Sequence, residues 1–100
     1  MRLLILFFLI CSLNILKASA IEKASAALNA GLFKEALKHI TIAQKEDPKN
    51  ADVYRMKALL HEALDEPQKA LKSWEACLEY SKNKNIRLEA KIHIKNLSVE

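Results

Sequence analysis

The residues able to do acid–base, nucleophilic or metal chemistry in this chain are few, and their spacing decides what they can do. The run HEALD, residues 61–65, opens like the zinc-binding pattern H-E-x-x-H, in which two histidines four residues apart share one helix face and the glutamate between them serves as base. Asp65 stands where the second histidine belongs. His61 and Asp65 can still share a face, but two ligands without a third make a poor zinc site, so both read as surface or groove residues. His39 and His93 have no companion at ligand spacing. Cys77 has no basic cluster beside it in sequence that would lower its thiol pKa, and reads as a small buried hydrophobe. A phosphate-cradling loop needs several glycines, and the chain has one. No catalytic residues, metal ligands or cofactor site are expected, and a non-enzymatic protein is.

Charge offers a second kind of chemistry. The run SKNKNIRLEAKIHIK, residues 81–95, carries Lys82, Lys84, Arg87, Lys91 and Lys95 against Glu89 alone. Such a surplus can steer an acidic protein, an anionic lipid headgroup or a polyanionic glycan. The simpler account is a solvated helix face whose cations favour a helix C-terminus. Across the whole sequence the formal charge is +4. Without residues 1–20 it falls to +2, a mildly basic balance that is not a nucleic-acid signature.

The first twenty residues, MRLLILFFLICSLNILKASA, have the layout of a secretory signal: Arg2, an apolar stretch from Leu3 to Leu16, then small residues Ala18-Ser19-Ala20. The apolar stretch is shorter than the ~20 residues a spanning helix needs. Cleavage after Ala20 is expected, with a retained anchor as the alternative. A lipoprotein site at Cys11 is not expected, because bulky Ile10 precedes it. Removing residues 1–20 takes away Arg2, Lys17 and no acid, which leaves a mature chain of net charge +2. It also leaves Cys77 without an intrachain disulfide partner.

These side chains have to be positioned by helices. In 33–44, Phe33, Ala36, Leu37, Ile40 and Ala43 recur at three- and four-residue steps, as do Ala70, Leu71, Trp74, Cys77 and Leu78 in 66–80. Asp65 and Gln68 are spaced for a capping-box-like start, and Pro67 in the first turn costs no intrahelical hydrogen bond. Residues 21–30 offer only the thin face of Ala24, Ala27 and Leu28. Residues 52–64 offer a wide one of Val53, Met56, Leu59, Leu60, Ala63 and Leu64, which predicts a helix packed on two sides. In 85–98, Ile86, Ala90, His93, Ile94 and Leu97 fall on one side, and Leu88, Ile92 and Val99 nearly opposite.

A 34-residue offset links two stretches of the chain. Ala24 returns as Ala58, Ala36-Leu37-Lys38 as Ala70-Leu71-Lys72, Ile40 as Trp74 and Ala43 as Cys77. Together with Gly31, Phe33 and Pro48, this pattern resembles the tetratricopeptide repeat over roughly residues 17–84. The second unit departs from it where Asp65 replaces the turn glycine, Pro67 the aromatic and Lys82 the closing proline. The resemblance implies an all-α fold of helical hairpin repeats wound into a right-handed α-α superhelix. Residues 21–50 would form the first repeat, 51–84 the second, and 85–100 a C-terminal capping helix.

It also implies a protein or peptide ligand in the groove lined by the first helices, at Ser25, Asn29, Asp52, Arg55, Leu59 and Glu62. The residues that some family members use to clamp a C-terminal carboxylate are missing, since Ile21 and Ser25 stand where the first pair would be. Two repeats are fewer than such arrays need for comfortable stability, so Leu88, Ile92 and Val99 are candidates for self-association or docking on a larger partner. The expected protein is an exported adaptor or assembly factor, periplasmic or secreted. A binder of anionic lipid or glycan surfaces through the basic C-terminal helix is the alternative.

Overall fold

The computed structural model describes residues 18–99, so Glu100 and most of residues 1–20, where a signal is expected from sequence, lie outside the described residues. Five α-helices and no strand occupy the described residues: α1 Ala20–Asn29, α2 Phe33–Glu46, α3 Ala51–Ala63, α4 Pro67–Tyr80 and α5 Lys84–Ser98. The fold is all-α. Each helix packs on the next in sequence, and α1 also touches α3. Connections this short between packed neighbours make them antiparallel hairpins.

Local chemistry accounts for the boundaries. Ser19 caps α1 by accepting from the Glu22 amide at 3.2 Å, a hydroxyl that cleavage after Ala20 would replace with an ammonium group at the positive end of the helix. Asn50 caps α3 and Asn83 caps α5 in the same way. The Tyr54 hydroxyl donates to the Pro48 carbonyl at 2.6 Å and holds the 47–50 turn against α3. Arg87 donates to the carbonyls of Leu78 and Ser81, satisfying oxygens that the end of α4 leaves free.

The two hairpin turns are the same turn, 34 residues apart. Gly31 has φ +76° and donates to the Leu28 carbonyl, while Leu32 donates to Ala27. Asp65 has φ +56° and donates to Glu62, while Glu66 donates to His61. Both are Schellman closures with a left-handed residue just past the helix end. The capping box expected at Asp65 and Gln68 is therefore absent: Glu66 is the N-cap of α4, without a side-chain capping bond, and Pro67 takes the first helical position. Asp65 is needed for the left-handed turn and cannot also serve as the cap.

The core falls into two clusters that meet at α3. Ala24, Ala27, Ala36, Ile40, Ala43, Val53 and Leu60 form one, with Phe33 and Met56 partly buried against it. Ala58, Trp74, Cys77 and Ala90 form the other, with Leu59, Ile86, Ile94 and Leu97 against it. The wide stripe of α3 thus splits between neighbours on both sides, and α5 seals the second cluster. Small alanines let the helix axes approach, and fully buried Trp74 fills the larger gap.

Candidate functional site

The six residues expected to line a groove separate into two groups. Ser25 is half-buried on α1, and Asn29 and Asp52 are exposed. Arg55, Leu59 and Glu62, all on α3, are tied into the molecule instead. Arg55 makes a two-pronged pair with Glu89 of α5, Nε to Oε2 at 2.7 Å and Nη2 to Oε1 at 3.0 Å. Its pKa is raised, first by that hydrogen bond. Leu59 packs on the second cluster. Glu62 accepts from the Trp74 indole N–H at 2.9 Å, and His93 Nδ1 lies 3.0 and 3.1 Å from its two oxygens. The His93 ring stacks on Trp74 with centroids 4.2 Å apart. Glu62 thereby joins α3, α4 and α5 through one carboxylate.

His61, read from sequence as a surface or groove residue, is buried, with Nδ1 3.2 Å from Glu66 Oε1. The wide apolar stripe of α3 carries it inward, and Glu66 in the following turn supplies a polar partner. Glu66 also accepts from Lys69, and its pKa is lowered, first by the Lys69 bond and then by His61. Cys77 is fully buried and burial raises its thiol pKa, so it is screened from a second chain's thiol in the folded state.

Two surfaces remain open. Leu88 and Ile92 on α5 and Val99 at its C-cap are 58%, 51% and 81% exposed, and a shallow depression of about 300 Å³ is lined by Asn85, Leu88, Glu89, Ile92 and His93. At 100° per residue, Lys84, Lys91 and Lys95 run along one side of that apolar row. Of the basic run, Arg87 is engaged with carbonyls, whereas the lysines at 82, 84, 91 and 95 are exposed.

The second surface was not anticipated from sequence. A cleft of about 470 Å³ lies between α2, α3 and α4, lined by Leu37 and Thr41, by Tyr54, Lys57 and His61, and by Lys69, Lys72, Ser73 and Ala76. Lys57 is half-buried and donates to Gln44 Oε1 at 2.8 Å. At one end Tyr54 stacks on Tyr80 with centroids 5.5 Å apart, and its phenol pKa is raised by burial first, then by Tyr80 and Glu79.

Among the described residues no three histidines, cysteines or carboxylates come together to hold a metal ion, and no helix is long and apolar enough to cross a membrane. No family model, curated protein or solved structure matches the chain.

Proposed function

We propose that the chain is a non-enzymatic, exported protein-interaction module built as two tetratricopeptide-like hairpins and a terminal helix, wound in the right-handed sense of that family. Supporting the repeat is the 34-residue spacing of the two Schellman turns, which extends to their flanking bonds: Ala36 to Leu32 matches Ala70 to Glu66, and Asp47 to Ala43 matches Ser81 to Cys77. Export rests on the leader-like layout of residues 1–20.

The observation that carries an interaction role is α5. It occupies the place where a third hairpin would begin, buries Ala90 against the stack and turns Leu88 and Ile92 outward beside a depression. Because Arg55 and Glu62 are engaged internally, with Glu89 and His93 as their partners, the contact surface shifts from the face of α3 to the exposed row of α5 and the neighbouring Asn85. The lysines beside the row favour an acidic amphipathic helix of a protein partner over a second copy, since two α5 helices laid antiparallel would bring like charges together.

The test begins with crosslinking in the native host to recover the partner, followed by affinity measurements on the purified pair. Leu88→Asp and Ile92→Asp should each weaken binding by at least about tenfold, whereas Ile42→Asp on the exposed side of α2 should leave it unchanged. Equal affinities for all three variants would remove α5 as the contact. The same lysines support a second reading, an anionic lipid or glycan surface. Binding to anionic vesicles that collapses with salt and with Lys84→Gln and Lys91→Gln, in the absence of a protein partner, would favour it.

A further inference from the structure

We propose that the cleft between α2, α3 and α4 is a second binding site, for an acidic peptide segment held by Lys57 and Lys72. It is separate from the α5 face and does not depend on the partner proposed there.

Three lysines from two helices line the cleft, and no carboxylate does. Of the acids next to lining residues, Glu66 is paired with Lys69 and His61, and Glu79 lies close enough to Tyr54 to raise its phenol pKa. Lys57 is the telling residue. It is half-buried on the α3 wall, yet the acceptor its ammonium group reaches in the protein is the neutral amide oxygen of Gln44. An ammonium has three donors and a full charge, so a lysine bonded to a neutral amide keeps donors and charge for an incoming carboxylate. Lys72 is exposed and sits on the α4 wall of the same cleft.

The remaining lining selects a peptide over a simple anion. Thr41 donates its hydroxyl proton to the Leu37 carbonyl at 2.8 Å, and Ser73 donates to Lys69 at 3.1 Å. Both hydroxyl oxygens are therefore left as acceptors, which suits peptide N–H donors and not phosphate oxygens. Leu37, Tyr54 and Ala76 supply apolar surface. From Tyr54 to His61 the α3 wall runs ~10 Å at the helical rise. That length accepts about three residues of extended chain, whose alternate side chains share one side.

The test is fluorescence anisotropy of the full chain at low salt, with a short labelled peptide bearing Asp or Glu at alternate positions. The same peptide with Asn and Gln in their place is the control. Saturable binding of the acidic peptide alone is expected, weakened about tenfold by Lys57→Gln, as loss of one charge-assisted bond implies. Lys72→Gln, on an exposed side chain that does not threaten folding, should also weaken it, and Lys84→Gln on α5 should not. Inorganic phosphate at matched ionic strength should fail to compete. Equal binding of the neutral peptide, wild-type affinity in both Lys57→Gln and Lys72→Gln, or displacement by phosphate would each overturn the proposal.

Discussion

The matched turns at Gly31 and Asp65 give a pair of substitutions with opposite signs. Gly31 has φ +76°, and a Cβ built there meets nothing within 4 Å, so Gly31→Ala is penalised by backbone conformation alone. A left-handed non-glycine residue costs about 1–2 kcal/mol. The stiffer unfolded chain offsets about 0.4–1 kcal/mol of this, for a net loss of about 0.5–1 kcal/mol. Asp65 adopts the same region at φ +56°, where aspartate is better tolerated than alanine, but its carboxylate sits at the negative end of α3. Asp65→Gly removes both penalties and gives back some unfolded-state entropy, for a net gain of about 0.5 kcal/mol. In a domain of this size 1 kcal/mol moves Tm by about 4–8 °C. Thermal unfolding followed by far-UV circular dichroism should therefore place Gly31→Ala about 2–8 °C below the parent and Asp65→Gly about 2–4 °C above it. Urea unfolding with an unchanged m-value would confirm a stability effect. A neutral Gly31→Ala, or an Asp65→Gly that loses stability, would refute the idea that both hairpins close on one turn geometry.

Three other outcomes are expected. A double-mutant cycle on Arg55→Ala and Glu89→Ala should give a coupling of about 0.5–1 kcal/mol, modest because both side chains keep contact with water. For Glu66, whose pKa is lowered by Lys69 and His61, the stabilisation is present above the ordinary glutamate range and is lost as pH falls through the lowered value. Urea midpoints of the parent should thus fall more steeply on acidification than those of Glu66→Gln, and parallel curves would contradict this. In a Cys11→Ser background, Cys77 should resist a thiol reagent until denaturant is added, when labelling should accelerate by about a hundredfold or more.

Much of the helical layout was legible in sequence because apolar spacing reports which side of a helix is covered. Phe33, Ala36, Ile40 and Ala43 define α2, and the broad stripe of 52–64 marks α3 as the central helix. The second turn was misread because aspartate suits both a helix N-cap and a left-handed C-cap, and local sequence does not separate the two. The engagement of Arg55 was readable in principle, since Glu89 follows it by the repeat length and an opposite charge at that offset is a cross-repeat pair. Burial of His61 and the lysine cleft were not, because each depends on how α3 and α4 turn toward one another. Hydropathy along a single segment carries no such information.

The function proposed for α5 requires that this helix close the stack over Trp74 while keeping Leu88 and Ile92 outward. Exchange of the Trp74 indole N–H with solvent, followed in two-dimensional NMR spectra, tests that closure directly, because the chain has one tryptophan and its N–H is bonded to Glu62. Exchange slowed toward the rate of global unfolding, and made fast by Ala90→Asp, is the predicted result. An indole proton that exchanges at once in the parent protein would mean that α5 does not cap the stack.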